Sequence, residues 1–223
     1  MTTFLISERT DSSPQRPDLH VLLAHGAGAP MDSPFMNMFA GGASAHNLTV
    51  ARFEFAYMAQ RRTGGQKRPP SPVAQLCDEY RTTLRAYREQ CGDDAAILIG
   101  GKSMGGRVAS MIADEAFAAG EIAGVVCLGY PFHPQSKPEV LRTDHLREAV
   151  CPMLILQGER DPFGSRDEVA GYDLSSTISV YWIGDGDHDF GPRGRSGFTK
   201  TGNIKAAAAA TAEFAQRVGQ AGA

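Results

Sequence analysis

The stretch that decides the fold is Ala95-Ala96-Ile97-Leu98-Ile99-Gly100-Gly101-Lys102-Ser103-Met104-Gly105-Gly106-Arg107, near the middle of the 223-residue chain. It opens on residues 95–99, an unbroken apolar run that is typical of a strand buried on both faces of a sheet. It continues as G-x-S-x-G over residues 101–105, and apolar side chains then recur at helical spacing over 108–116. The stretch therefore predicts a strand, a very tight turn and a helix.

Ser103 lies at this turn, and the residues around it suit a reactive serine. The turn brings the backbones before and after it close together, so a Cβ at Gly101 or Gly105 would clash. The serine hydroxyl then projects clear of the sheet, at the N-terminus of the helix. The N–H of Met104 becomes a natural donor to an oxyanion that develops beside Ser103.

Two other interpretations use the same residues. Gly101-Lys102-Ser103 would close a phosphate-binding loop of the form G-x-x-x-x-G-K-S, but that motif requires glycine where the chain has Ala96. It also requires a long loop between strand and helix, whereas this strand runs up to the turn. The third interpretation is a glycine-rich turn with an incidental serine, and the rest of the chain has to decide between them.

The composition is that of an ordinary globular protein, with 42% hydrophobic and 21% charged residues. A net charge of −3 argues against a general nucleic-acid binder. No run approaches the roughly 18 apolar residues that a membrane span needs, and residues 1–17 do not resemble a signal peptide. The four cysteines form no C-x-x-C pair, which favours free thiols in a reducing cytoplasm. We expect no nucleic-acid or membrane partner and a cytoplasmic location, and the oligomeric state stays open.

Strands and helices alternate along the chain. Strands are predicted at 4–6, 19–24, 48–55, 95–99, 124–128, 153–157 and 178–183, and helices after Ser33, at 73–90, up to 119, near 144, at 166–172 and from about 197. This pattern indicates an α/β fold with a mostly parallel sheet of about six to seven strands, covered by helices on both faces. We expect a loose segment over 1–17 with a possible edge strand, and one domain over 18–223. No long insertion follows the strand 124–128, so no large cap domain is expected.

Three reactive residues follow strands of this predicted sheet. Ser103 follows the strand 95–99, Asp161 follows 153–157, and His188 follows 178–183. Ligands of parallel α/β sheets bind outside the carboxyl ends of the strands, so these side chains are expected to lie together. The order serine, aspartate, histidine is that of the α/β-hydrolase triad.

Longer motifs carry a family resemblance. Residues 22–28, 100–107, 128–134, 157–164 and 185–190 read LLAHGAG, GGKSMGGR, LGYPFHP, QGERDPFG and DGDHDF. They are similar to one branch of the α/β-hydrolase superfamily that resembles dienelactone hydrolases. This branch includes bacterial proteins of unassigned substrate, a testis-expressed protein and a subunit of a histone-acetyltransferase complex. Dienelactone hydrolases use a cysteine nucleophile where this chain has Ser103, so the resemblance implies the fold and a hydrolase and leaves the substrate open.

The predicted chemistry is hydrolysis of a small ester or thioester. Ser103 would attack the acyl carbonyl, His188 would move the proton, and Asp161 would hold the imidazole in the right tautomer. The N–H groups of Met104 and Ala27 would bind the oxyanion. The remaining candidates for the substrate pocket are His25, Gly26, Lys102, Tyr130, Phe132 and Phe163. The alternative is a non-catalytic interaction module that keeps a vestigial pocket.

Other assignments of the polar residues stay open at this point. Asp185, Asp187 and Asp189 flank His188 and compete with Asp161 for the role of the acid. They also begin like a calcium-binding loop, but Phe190 and Ser196 stand where that loop needs glycine and glutamate, so no metal or cofactor is expected.

Several side chains have a plain structural alternative. His20 is interpreted as structural, His25 as shaping the oxyanion loop, and His46 and His145 as surface residues. His133 lies in a loop that could border the pocket. Lys102 could point to the pocket rim or to solvent, and Tyr130, Phe132 and Phe163 could equally pack in the core. The basic residues of the polar connection 57–72 could bind an anionic substrate or be a solvated loop.

Overall fold

The structure, a computed structural model, describes residues 3–11, 13, 18–92 and 94–220. Its centre is a seven-stranded sheet of order β1-β3-β2-β4-β5-β6-β7. The strands are β1 (Leu5–Ser7), β2 (Leu19–Ala24), β3 (Thr49–Phe53), β4 (Ala96–Lys102), β5 (Gly124–Leu128), β6 (Met153–Gly158) and β7 (Ile178–Ile183). All neighbouring strands pair in parallel except β1, which runs antiparallel to β3 at the edge. The predicted fold class is confirmed.

The helices cover both faces of the sheet. They are α1 (Pro34–Ala45), α2 (Ala56–Ala59), α3 (Val73–Cys91), α4 (Met104–Ala118), α5 (Arg166–Val169) and α6 (Lys200–Gln220), with 3₁₀ turns at Gln60–Thr63 and Asp144–Leu146. One apolar core packs α3 and α4 against the sheet, and a second packs α1 and α6 against the opposite face. No large cap domain interrupts the described residues. Among those residues, no helix is long and apolar enough to cross a membrane.

The strand before the reactive serine is longer than its apolar run predicts. β4 extends through Lys102, because Gly100 and Gly101 pair with Val126 and Cys127 of β5. A Cβ at Gly100 would overlap the carbonyl of Val126, so only glycine fits there. A rule that looks for apolar side chains ends the strand where the glycines begin.

Other boundaries also differ from the sequence prediction: the strand predicted at 48–55 is Thr49–Phe53, and the helix predicted at 166–172 is Arg166–Val169. The start of the predicted connection 57–72 is ordered as α2 and a 3₁₀ turn, because Tyr57 and Met58 are buried in the core. The last helix begins at Lys200 and not near Gly197, whose φ of 82° is not helical. The predicted edge strand lies at Leu5–Ser7, while the rest of the loose segment falls partly on residues 1, 2, 12 and 14–17, outside the described residues.

Candidate active site

Ser103 lies at a strained turn between β4 and α4. Its φ of 51° and ψ of −113° are unusual for a residue with a side chain. A Cβ at Gly105 would lie 2.6 Å from the carbonyl oxygen of Ala24, and one at Gly101 would overlap the same oxygen, which explains both glycines. The N–H of Ser103 donates to the carbonyl of Leu128 at 2.9 Å, so the turn is held against the end of β5.

Asp161 and His188 form a hydrogen-bonded pair at the ends of β6 and β7. The Nδ1 of His188 lies 2.8 Å from the Oδ2 of Asp161, which is fully buried. The second oxygen of Asp161 accepts from the N–H of Phe163 at 2.9 Å. An ionised carboxylate only accepts hydrogen bonds, so the proton of this pair sits on Nδ1. The Nε2 of His188 is then the nitrogen that can accept a proton.

The imidazole of His188 packs against Gly129, the residue that follows β5. A Cβ at Gly129 would lie 3.2 Å from the Nδ1 of His188, and the backbone there has a φ of 66° that favours glycine. Leu128, the residue before it, accepts the hydrogen bond from Ser103. On the other side, the ring of Phe163 lies 4.5 Å from the imidazole, centre to centre. The structure therefore brings the predicted serine, aspartate and histidine together around the end of β5.

The loop after β2 lies against the turn at Ser103, as the sequence predicts. A Cβ at Gly26 would come within 3.9 Å of the Cβ of Ser103. His25 is fully buried; its Nδ1 donates to the carbonyl of Gly26 at 2.6 Å, and its Nε2 accepts from the N–H of Phe55 at 3.2 Å. Burial lowers the pKa of His25, which keeps it neutral in this role. His25 thus shapes the loop. Both of its ring nitrogens are bonded to backbone groups, so it does not act as a catalytic base.

Tyr57 is a residue of this site that the sequence reasoning missed. Its hydroxyl donates to the carbonyl of Ala27 at 3.0 Å, and this contact restrains the loop. Burial raises the pKa of Tyr57 to about 12, so the hydroxyl keeps its proton. Tyr57 lies in the segment interpreted as a polar connection, and nothing in its local pattern links it to Ala27.

The three aspartates around His188 are engaged elsewhere. Asp185 pairs with Arg160 at 2.9 Å and with Arg193, and Asp187 accepts from the N–H groups of residues 189 and 191. Asp189 pairs with Lys102 at 3.3 Å. The described residues contain no cluster of histidine, cysteine or acidic side chains that could hold a metal ion.

Several predicted positions need correction. Lys102 does not reach solvent or the pocket rim, because its side chain is buried and paired with Asp189. Tyr130 and Phe132 are fully buried in the core and do not line an open pocket, unlike the half-buried Phe163. His145 is not a surface residue, since its Nε2 contacts the hydroxyl of Ser110 at 2.9 Å.

The remaining histidines lie in different surroundings. His20 is structural and contacts the hydroxyl of Tyr87 at 2.7 Å, and His46 is exposed. His133 is buried, with its Nδ1 bonded to the carbonyl of Pro134.

In the basic loop, Arg62 is neutralised by Glu54 and Asp32, so the loop carries less free positive charge than the sequence indicates.

The match to known proteins agrees with this geometry. Residues 17–216 match the family described as an alpha/beta hydrolase domain, and the chain belongs to that family.

Solved structures of low sequence identity share the fold. Est1E from Butyrivibrio proteoclasticus, solved with ferulic acid bound, is 13% identical with a TM-score of 0.69 and covers 97% of this chain and 94% of its own. A dienelactone hydrolase from Anabaena variabilis is 19% identical with a TM-score of 0.67, at 97% and 91% coverage. A lidless α/β serine hydrolase from Xanthomonas campestris is 18% identical with a TM-score of 0.61, at 83% and 79% coverage.

Proposed function

We propose that the protein is a serine hydrolase that cleaves a small ester or thioester through an acyl-enzyme. The observation that carries the proposal is the hydrogen bond of 2.8 Å between His188 and Asp161, formed at the same end of the sheet as a serine at a strained turn. A buried carboxylate that holds the Nδ1–H of a histidine leaves Nε2 as a base for a neighbouring hydroxyl. The family membership supports a hydrolase of this class.

In the proposed reaction, Ser103 Oγ attacks the acyl carbonyl while His188 Nε2 takes the hydroxyl proton. Asp161 stabilises the imidazolium that forms. The oxyanion accepts hydrogen bonds from the N–H groups of Met104 and Ala27, and each such donor typically contributes about 10²–10³ in rate. The leaving group departs with the proton from His188. Water then attacks the acyl-enzyme while His188 takes its proton; the carboxylic acid leaves, and His188 returns the proton to Ser103 Oγ.

The surroundings favour a small substrate that approaches from solvent. No large cap domain covers the site in the described residues. Phe163 offers an apolar surface next to His188, whereas Tyr130 and Phe132 are sealed in the core. We therefore propose short acyl groups, bound with one side exposed, as the preferred substrates.

The decisive test is intact mass after exposure to a serine-directed fluorophosphonate. We expect one adduct on the wild type and none on Ser103→Ala. Ser110→Ala is the matched control: Ser110 also contacts a histidine, His145 at 2.9 Å, but lies outside the site and must leave the adduct unchanged. Turnover of short-chain p-nitrophenyl esters and acyl thioesters then measures the activity.

The alternative is a non-catalytic interaction module, suggested by the resemblance to the acetyltransferase-complex subunit. A folded wild type that forms no adduct and turns over no ester or thioester would refute the hydrolase and leave this alternative. An adduct that persists in Ser103→Ala would instead refute the assignment of the nucleophile.

A further inference from the structure

Lys102 is a buried cation directly before the reactive serine. It is the last residue of β4, and only 7% of its surface is exposed. Its ammonium lies 3.3 Å from the Oδ1 of Asp189 and 5.5 Å from the ring centre of Phe35. Its partner Asp189 has a side chain that is 59% exposed, and burying a charged side chain in an ion pair is often no more stabilising than apolar side chains of the same size. Packing alone therefore does not explain why a lysine occupies this position.

The partner of this lysine is the residue that follows His188. Burial lowers the pKa of Lys102 in spite of the nearby Asp189, Asp161 and Asp187 carboxylates. Burial acts to raise the pKa of Asp189, but the Lys102 ammonium outweighs it, with smaller contributions from Lys200 and His188, and that pKa lies below its usual range. The ion pair thus joins Lys102, the residue before Ser103, to Asp189, the residue after His188.

The other polar contacts of this loop serve different purposes. Asp187 accepts backbone N–H groups from within the loop, and Asp185 binds Arg160 and Arg193. These contacts set the shape of the loop and its attachment near β6. Within the described residues, the contact with Asp189 is the ion pair that attaches the loop to β4.

We propose that Lys102 and Asp189 are positioning residues for the hydrolase reaction. Their ion pair fixes the loop of His188 against the strand that carries Ser103, and so sets the distance and direction of proton transfer between them. The inference rests on the proposed function, because it needs Ser103 and His188 to exchange a proton. A misplacement of about 1 Å between reacting groups can lower the rate on the order of 10²-fold.

The test compares Lys102→Met with the wild type. Methionine fills a similar space without the charge, so we expect an unchanged or higher melting temperature, while kcat and the rate of fluorophosphonate labelling fall by about 10- to 100-fold with little change in KM. Asp189→Asn should lower the same rates and also destabilise the fold, because it leaves the ammonium buried without a partner. Asp189→Glu, which keeps the carboxylate, should retain most of the rate.

Lys200→Met is the matched control. Lys200 is exposed and adds to the field at Asp189, but it makes no ion pair within 4 Å among the described residues. Its substitution should leave kcat unchanged. The proposal would be overturned if Lys102→Met kept the wild-type kcat and labelling rate. It would also be overturned if Lys200→Met lowered both rates as much as Lys102→Met does.

Hydrogen exchange separates this inference from the proposed function. Without the ion pair, the backbone amides of residues 186–191 should exchange faster in Lys102→Met than in the wild type. A wild type that fails to react with the fluorophosphonate refutes the hydrolase, whereas unchanged exchange in Lys102→Met refutes the positioning role on its own.

Discussion

At the scale of single residues, the central fact is which carboxylate reaches His188. Four aspartates lie near it in sequence or in space, and three of them share its loop. The carboxylate that makes the hydrogen bond is Asp161, which is fully buried at the end of β6. Its second oxygen is also satisfied, by the N–H of Phe163. An aspartate held in this way fixes both the direction and the tautomer of the imidazole.

Asp161→Asn should lower kcat by about 10³–10⁴-fold. An asparagine can still accept from the N–H of Phe163, but its amide then donates to Nδ1 of His188, so the imidazole proton moves to Nε2. That tautomer cannot take the proton of Ser103. Kinetics with a p-nitrophenyl ester measure the effect.

The control for this substitution is Asp173→Asn, which changes an exposed aspartate whose contact, with Arg147, is 4.0 Å long. It should retain wild-type kcat. If Asp161→Asn also kept the wild-type kcat, another carboxylate would have to orient the imidazole of His188.

At the scale of elements, the loop after β2 is held by the segment that follows β3. The Nε2 of His25 accepts from the N–H of Phe55, which directly precedes α2, and Tyr57 of α2 donates to the carbonyl of Ala27. These anchors restrain the backbone around Ala27, whose N–H is proposed to bind the oxyanion. The loop therefore depends on a short helix that follows a different strand.

Tyr57→Phe should lower kcat by roughly fivefold with KM nearly unchanged. It removes a hydrogen bond with a net contribution of about 1 kcal/mol from the loop proposed to bind the oxyanion, and that interaction is strongest in the transition state. Steady-state kinetics separate kcat from KM.

Tyr87→Phe is the matched control for the tyrosine substitution. Its hydroxyl is also buried and bonded, to His20, but the residue lies on α3 away from the loop. It should reduce stability without changing kcat. Equal kinetic effects of both substitutions would show that Tyr57 does not act through the oxyanion loop.

At the scale of the whole molecule, the two ends of the sheet differ. A cavity of about 870 Å³ lies at the amino ends of the strands, lined by residues that include Ala96, Ala123 and Pro152. Ser103, Asp161 and His188 lie at the carboxyl ends, where the chemistry of a parallel sheet is expected. This cavity therefore lies at the end of the sheet opposite the candidate catalytic residues.

The stability of the molecule should depend on pH through Lys102. Its pKa is lowered in the folded state, so between that pKa and the value near 10.4 of the unfolded chain the unfolded state binds more protons. The contribution of this residue to the free energy of unfolding therefore rises with pH in that range. Lys102→Met should be the more stable protein at pH 7, and its advantage should shrink as the pH rises toward 10.

Urea denaturation of both proteins at several pH values measures this difference. All other titrating groups are common to the two chains, so their contributions to the difference in unfolding free energy largely cancel. A difference in stability that stays constant from pH 7 to 10 would contradict a lowered pKa for Lys102.

Local pattern was enough for most of the fold and for the composition of the site. Strands β2, β5 and β7 lie at the predicted residues, and Ser33 with Pro34 starts α1 as expected. These signals are local, since they depend on apolar periodicity and on the backbone freedom of particular residues. The turn around Ser103 belongs to the same class, because glycine is needed wherever backbones approach closely.

The sequence by itself thus determined the α/β class and the turn at Ser103. It also determined that Ser103, Asp161 and His188 follow three strands in that order along the chain. The sequence also predicts the contact of Asp161 with His188, from their places after β6 and β7. Only the tertiary structure decided that Lys102 is buried against Asp189 and that Tyr57 holds Ala27. It also decided that Tyr130 and Phe132 are core residues. The physical reason is that these contacts join segments far apart in the chain. A side chain's partner then depends on which elements the sheet brings side by side, and no local pattern encodes that.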